Sequence, residues 1–375
     1  MSDFLSERQH AMRDFLKRSG WDGAQVAPLP DDASTRHYAR LTLGGRGAML
    51  MDQPQDAEAP GAPEGAGEES RRALGYNALA RLAGADSARF AAAADYLRGR
   101  GLAAPEIYAA DHAQGFLILE DLGDGLFADV LAAGGNEKQL YQHAAEVLAH
   151  LHAEDAPYRL SEVKPLFAYD EAALVAETDL LPEWFLPLAL GRPVEPDEIA
   201  EHRGLWKAAL RPLLVGQRAF VHRDYHAQNL LWLPGRQGVA RVGLIDFQDA
   251  VAGSRAYDLV SLTEDARRDV SPECAARTIA HYLAAMRAQG TLLDEAEFRG
   301  EMAVMAAQRN AKIVGIFARL YRRDGKSRYL GLLPRVWNYL ERDLSHPALG
   351  ALQTWYDRVI PPPRRRLVQR EKEIS

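Results

Sequence analysis

The 375-residue sequence is 47% hydrophobic with a formal net charge of −7, enough apolar material for a sizeable core and a length that suits two lobes. That charge, with a pI near 5.9, argues against a surface built to neutralise nucleic-acid phosphates, so no nucleic-acid partner is expected. The single cysteine, Cys274, excludes an intramolecular disulfide and a multi-cysteine metal site; it reads as a small buried hydrophobe in a reducing, cytoplasmic compartment.

The first residues, Met1 to Arg8, mix acidic and basic side chains without a signal-peptide pattern, and no apolar run is long enough to span a bilayer, so no membrane association is expected. Leu5, Met12, Phe15 and Leu16 recur at helical spacing and predict an amphipathic helix over 3–19 that stops at Gly20. Ala39, Leu41 and Leu43 then alternate with polar neighbours, Gly44 to Gly47 supply a turn, and Ala48 to Met51 return as the second strand of a hairpin. From about 53 to 70 the text is rich in Pro, Gly, Ala and Glu with no apolar period, and a mobile loop is expected. Helices are predicted at 71–83 and 87–99, and strands at 106–110 and 116–120.

Beyond this point helical periodicity dominates, with an apolar face at Leu140, Ala144, Val147, Leu148 and Leu151 and further helices at 169–181, 195–215, 256–267, 272–289, 295–322 and 327–343. One β-rich island interrupts them, at 219–221, 230–233 and 242–245. The predicted fold is α+β with two lobes: a small β-rich N-lobe over 1–122 and a large helical C-lobe over 123–375. The dense basic run Arg364-Arg365-Arg366 follows three prolines and reads as a solvated tail.

The β-rich island carries the chemistry. His222-Arg223-Asp224-Tyr225-His226-Ala227-Gln228-Asn229 follows one apolar strand, and Ile245-Asp246-Phe247-Gln248-Asp249 ends another. Phosphoryl transfer asks little covalent help of a protein; it needs an acceptor for the hydroxyl proton and hard oxygen ligands that hold Mg2+ on the nucleotide phosphates. Asp224 supplies the first, Asn229 and Asp246 the second, with ATP as co-substrate. Either aspartate alone would be an ordinary turn or cap residue; the joint spacing and order make the pattern specific. His222 reads as a structural buttress of the loop. His226, between base and metal ligand, either faces substrate or serves the loop.

This loop resembles the catalytic loop of aminoglycoside phosphotransferases and choline-kinase-like enzymes, and Ile245–Asp249 resembles their metal-binding segment. A closer likeness runs through Leu119-Glu120-Asp121-Leu122-Gly123, Asp246-Phe247-Gln248-Asp249-Ala250, Tyr257-Asp258-Leu259, Glu264 to Val270, and Gln308-Arg309-Asn310 through Leu320. Together these are similar to the bacterial anomeric kinases of N-acetylmuramate and N-acetylglucosamine. The resemblance implies ATP-dependent formation of a sugar 1-phosphate in peptidoglycan recycling, feeding UDP-N-acetylmuramate synthesis; a monomer is expected. It further implies a nucleotide loop at Ser34, Thr35 and Arg36, a hinge at Glu120, Asp121 and Leu122 whose backbone meets adenine, and a structural role for Asp258.

The broader family places a lysine on the third N-lobe strand, yet Ala48 to Asp52 holds none. Arg36 or Arg40 is expected to take its place, with Arg36 preferred. A lactyl carboxylate in the acceptor calls for cations, for which Arg267, Arg268, Arg309 and Lys312 are candidates, and Gln248 is a further substrate-binding candidate beside His226. Other readings stay open at this level: an aminoglycoside kinase using Glu264, Asp265 and Asp269, a choline kinase, or an ATP-binding scaffold without turnover.

Overall fold

The computed structural model describes residues 2–30, 35–216 and 218–365, which fall into two units by their internal contacts: one formed within 1–130, 158–166 and 229–250, the other within 131–157, 167–228 and 251–375. The first is built on a five-stranded antiparallel sheet of β1 (Gln25–Pro28), β2 (His37–Leu43), β3 (Arg46–Asp52), β4 (Ile107–Asp111) and β5 (Phe116–Leu119), in the order β1-β2-β3-β5-β4. The predicted hairpin is β2–β3, in register from His37↔Asp52 to Leu43↔Arg46. Gly44 and Gly45 close it at φ 56° and 81°, a backbone that costs glycine nothing and matches the twist of the strands.

Alternation decides which face of this sheet is buried. Leu41, Ala48, Leu50, Phe116 and Ile118 share one core with Phe15, Leu16 and Trp21, so the helix Ser2–Arg18 lays its apolar stripe on the sheet, with Phe15 stacked on Phe116 at 5.6 Å. Strand β1 was not visible to pattern reading because its residues are mostly exposed and do not alternate. The helix expected at 71–83 is instead two short helices, Glu68–Leu74 and Tyr76–Leu79, broken at Gly75 where φ is 102°. Between them and β3 the chain from 53 to 67 forms neither helix nor strand. Gln53 there is buried and donates to the Gly84 carbonyl at 2.9 Å.

A short ladder also belongs to this unit: β9 (Leu230–Trp232) pairs antiparallel with β10 (Val242–Leu244); β6 (Arg159–Ser161) and β7 (Lys164–Pro165) form a second small pair. The other unit is predominantly helical and holds β8 (Ala219–Val221) paired antiparallel with β11 (Val251–Gly253). Its longest element is the helix Glu295–Asp324, capped by Asp294 at its start and by Gly325 at φ 66°. Prolines trim the predicted bounds. The helix Pro196–Leu210 gives way to a 3₁₀ turn over Arg211–Leu214 at Pro212, and Glu171–Thr178 to a π turn over Leu181–Phe185 at Pro182. A helix at Gly350–Val359 lies beyond the last one predicted.

Two core histidines of the helical unit set an expectation for acid stability. Burial pushes His152 and His202 down to about 3; His202 sits against Trp206, Trp355 and Tyr356 and accepts the Trp206 indole N–H at 2.9 Å. A base whose folded pKa lies below its unfolded 6.5 contributes stability that is present above pH 6.5 and lost as pH falls toward 3. The thermal midpoint is therefore expected to drop through this window. An H202F variant, less stable overall, should show a shallower slope there; an unchanged slope would remove His202 from the account.

Candidate active site

β8 is fully buried and delivers the loop from His222 to Gln228. The carboxylate of Asp258, in the helix Ala256–Thr263, holds this loop: it accepts the His222 N–H at 2.6 Å and the Arg223 N–H at 2.9 Å on separate oxygens. Burial pushes the Asp258 carboxyl up to about 7, with the two N–H donors opposing that rise. Arg223 is left-handed at φ 76°, a conformation arginine adopts only when its surroundings impose it. Asp224 follows. Burial would raise its carboxyl, yet the positive charges of Lys312 first and then Arg223 outweigh that and hold it below the ordinary carboxylate value, so it is a charged base at neutral pH.

Asp224 lines a cavity of about 80 Å³ in the helical unit, together with Arg223, His226, Tyr257, Ala266, Arg267, Arg309, Lys312, Ile313, Ile316 and Phe317. Four cations thus surround one carboxylate. Arg267 approaches the His226 ring at 3.3 Å; a guanidinium only donates, so His226 Nε2 accepts and the ring proton sits on Nδ1. Burial pushes His226 down to about 4, and the ring is neutral at pH 7. Arg309 donates to the Glu264 carbonyl at 3.2 Å. The Arg267 backbone N–H donates to Asp265 at 2.8 Å, but neither the Arg267 nor the Arg309 guanidinium has a carboxylate partner among the described residues.

In the first unit, Asp246 follows β10 at φ 63°, which aspartate tolerates better than most side chains. Its Oδ1 accepts from Arg36 Nη1 and Gln248 Nε2, both at 3.1 Å, and its Oδ2 from Asn229 Nδ2 at 3.3 Å. The segment is braced from the helix Ser87–Gly99: Arg89 donates to the Gln248 and Ala250 carbonyls at 3.0 and 2.9 Å, and Phe90 stacks on Phe247 at 4.9 Å. Asp246 and Asn229 are hard oxygen donors held side by side, with the Asp246 side chain 41% exposed. Among the described residues no cluster of three His, Cys, Asp or Glu could hold a metal, but a Mg2+ shared with nucleotide phosphates needs only one or two protein oxygens. The donor set fits.

Residues 25–293 match the phosphotransferase enzyme family. The chain belongs to that family. It is 42% identical over 364 residues to an N-acetylmuramate/N-acetylglucosamine kinase of Caulobacter vibrioides, covering 96% of this chain and 99% of that protein. It is 33% identical over 332 residues to the enzyme of the same name from Pseudomonas aeruginosa, covering 88% and 87%. The fold resembles a choline/ethanolamine kinase family protein from Mesorhizobium loti with a TM-score of 0.55 at 14% identity, over 92% of this chain and 99% of that one. A small antiparallel sheet followed by a mostly helical lobe is the two-lobe kinase-like fold of the phosphotransferases, and the chain is an ATP-dependent sugar kinase of this family.

Against that family pattern, β3 carries no lysine, and the partners of the two arginines separate them. Arg40 is engaged by Asp121, with Nε at 2.6 Å, and by Asp124, with Nη2 at 2.7 Å; Arg36 is buried and reaches the metal-ligand candidate Asp246. Thr35 donates its hydroxyl to Glu58, and Ser34 lies outside the described residues. In the expected hinge, the Glu120 N–H donates to the Glu106 carbonyl at 2.8 Å and the Glu120 side chain pairs with Arg236; Asp121 accepts the Gly123 N–H at 2.9 Å; Leu122 is half-buried.

The sequence-predicted residues therefore gather in two sets. Arg36, Asn229, Asp246 and Gln248 meet in the first unit, where Gln248 contacts the metal-ligand candidate. Asp224, His226, Arg267 and Arg309 meet in the helical one. Arg268 is directed elsewhere, to Glu137 and the Tyr141 hydroxyl. Arg89 and Glu177 went unrecognised in the sequence, because an arginine or glutamate in a helix gives no local sign of a partner far away in the chain.

Proposed function

We propose that this protein transfers the γ-phosphoryl group of ATP to the anomeric C1 hydroxyl of N-acetylmuramate and N-acetylglucosamine. The observation that carries the acceptor reading is the cavity in which a charged aspartate lies beside the Arg267 and Arg309 guanidinium groups, neither of which pairs with a carboxylate among the described residues, matched by the names of the relatives. Asp224 accepts the C1 hydroxyl proton as that oxygen forms its bond to the γ-phosphorus and the bond to the β–γ bridging oxygen breaks, releasing ADP. Asn229 and Asp246 would hold Mg2+, which neutralises charge on the phosphates when bound. Arg36 supplies the cation that a strand lysine gives elsewhere in the family, and Thr35 with the backbone of Glu120 to Leu122 flanks the nucleotide. Residues 1–122 serve as the nucleotide-covering lobe and 123–375 as the catalytic and acceptor lobe. The setting is cytoplasmic peptidoglycan recycling, feeding UDP-N-acetylmuramate synthesis, with the enzyme acting as a monomer.

The rival acceptors find less support. An aminoglycoside needs several spare carboxylates, but Glu264 is taken by Arg342 and by Asn310 at 2.7 Å, and Asp269 by Arg335, so that of the three candidates only the buried Asp265 keeps an oxygen without a hydrogen-bond partner among the described residues. A quaternary ammonium needs an aromatic cage, yet Trp206, Trp337 and Trp355 are core residues. The decisive assay is ADP release with Mg2+ and ATP against N-acetylmuramate, N-acetylglucosamine, kanamycin and choline, with NMR of the product. A sugar 1-phosphate is expected; turnover confined to kanamycin or choline would overturn the reading. An R309A variant should raise KM for N-acetylmuramate about tenfold, the worth of one charge-assisted hydrogen bond, and leave N-acetylglucosamine within about twofold. Equal losses on both sugars would remove Arg309 as the carboxylate reader.

A further inference from the structure

Glu177, near the end of the helix Glu171–Thr178, is fully buried and lies outside every motif discussed above. Its Oε1 receives Arg223 Nη2 and, at 2.8 Å, Lys312 Nζ; its Oε2 receives the Tyr169 hydroxyl and Gln308 Nε2 at 3.0 Å. Gln308 and Lys312 stand four residues apart on the helix Glu295–Asp324 and so reach the carboxylate from one face. Gly315 lets that helix come close: a Cβ there would lie 2.4 Å from the Leu180 carbonyl carbon. Two cations thus share one buried anion, and the cluster keeps one positive charge that Glu177 cannot neutralise. Burial of such a charge is tolerated only beside a counter-charge. The carboxylate in the cavity that Lys312 and Arg223 both line is Asp224. Lys312 also donates to the Tyr257 hydroxyl at 3.3 Å, which leaves one of its three N–H bonds for the cavity.

We propose that Lys312, anchored by Glu177 and Tyr257, is a positioning residue of the transfer step that fixes the charged Asp224 carboxylate against the acceptor hydroxyl. This rests on Asp224 being the base and on the acceptor occupying that cavity. Glu177 acts through Lys312 on one side and through Arg223, the strained neighbour of Asp224, on the other. The role differs from that of Arg309: a carboxylate reader affects only the acceptor that has a carboxylate, whereas a residue that sets the base affects every acceptor in kcat.

The test is steady-state kinetics of K312M, K312R and E177Q with N-acetylglucosamine and N-acetylmuramate, alongside thermal unfolding. K312M should lose about 100-fold in kcat on both sugars, the size expected of one electrostatic group in a water-excluded site, with KM for N-acetylglucosamine within about threefold. K312R, which keeps the charge, should regain at least about tenfold of that loss, and E177Q should lower kcat on both sugars by about tenfold. Three results would overturn the proposal: K312M with kcat within about twofold of wild type, a defect confined to KM for N-acetylmuramate, or a loss that tracks the unfolded fraction. Should K312M fail to fold, the same split measured on E177Q decides. Wild-type turnover tests the sugar reading separately; if another acceptor is the substrate, the same kcat comparison is made with it.

Discussion

A D224N variant is expected to lose about 1,000-fold in kcat, within the range that a positioned general base supplies, while binding ATP as tightly as the wild type. Asparagine matches the aspartate in shape and keeps an oxygen acceptor, so the loop, clamped by Asp258 on the N–H groups of His222 and Arg223, has no reason to move. What changes is the ability to take a proton. The wild-type carboxylate is available for it because the charges of Lys312 and Arg223 outweigh the cost of its burial, and the removal of its charge also leaves the cavity cations without their counter-ion. Calorimetric ADP titration and initial rates on N-acetylglucosamine separate the two effects. Near-normal turnover would take the proton from Asp224 and give it to some other group. A D258N variant is a useful contrast: an amide nitrogen would face one of the two N–H donors and loosen the loop itself, so its loss of folding stability should exceed that of D224N, which removes a counter-charge but leaves the loop clamp intact.

How much of this was legible beforehand follows from where each signal resides. The β2–β3 hairpin and the helix Ser2–Arg18 show in the sequence because a half-buried strand and an amphipathic helix each imprint their own period on neighbouring residues. The catalytic and metal loops show because their side chains lie within a short spacing in segments that directly follow apolar strands. Strand β1 has almost no buried residue to betray it, and the break at Gly75 falls inside the predicted 71–83 helix because a lone glycine does not by itself end a helical pattern. Sequence narrowed the candidates for the missing phosphate cation to Arg36 or Arg40; the fold pairs Arg40 with Asp121 and Asp124 and Arg36 with the metal-ligand candidate Asp246, a difference no local pattern carries. Glu177 was out of reach altogether. Its four donors come from positions 169, 223, 308 and 312, so its significance exists only once the chain has folded.

The second large effect is expected at Asp246, where D246N should lower kcat about 100-fold at moderate Mg2+ and shift the Mg2+ concentration needed for half-maximal rate upward by at least about tenfold. The substitution is a fair test of charge. Aspartate sits here at φ 63°, and asparagine is among the few residues that accept that backbone equally well. All three groups around the carboxylate, Arg36, Gln248 and Asn229, donate to it, so a neutral side chain keeps an acceptor for some of them but loses the charge that draws a divalent ion. Rate recovery at high Mg2+ would show that the loss lies in metal affinity; no recovery would mean that the anionic oxygen also orients the phosphates. An R36A variant distinguishes the arginine's contribution, since it should raise KM for ATP about tenfold with little change in the Mg2+ requirement. If D246N instead kept wild-type activity and Mg2+ dependence, the hydrogen bond from the Asn229 amide to Asp246 would be a structural contact of the turn, and the metal would have to be held elsewhere.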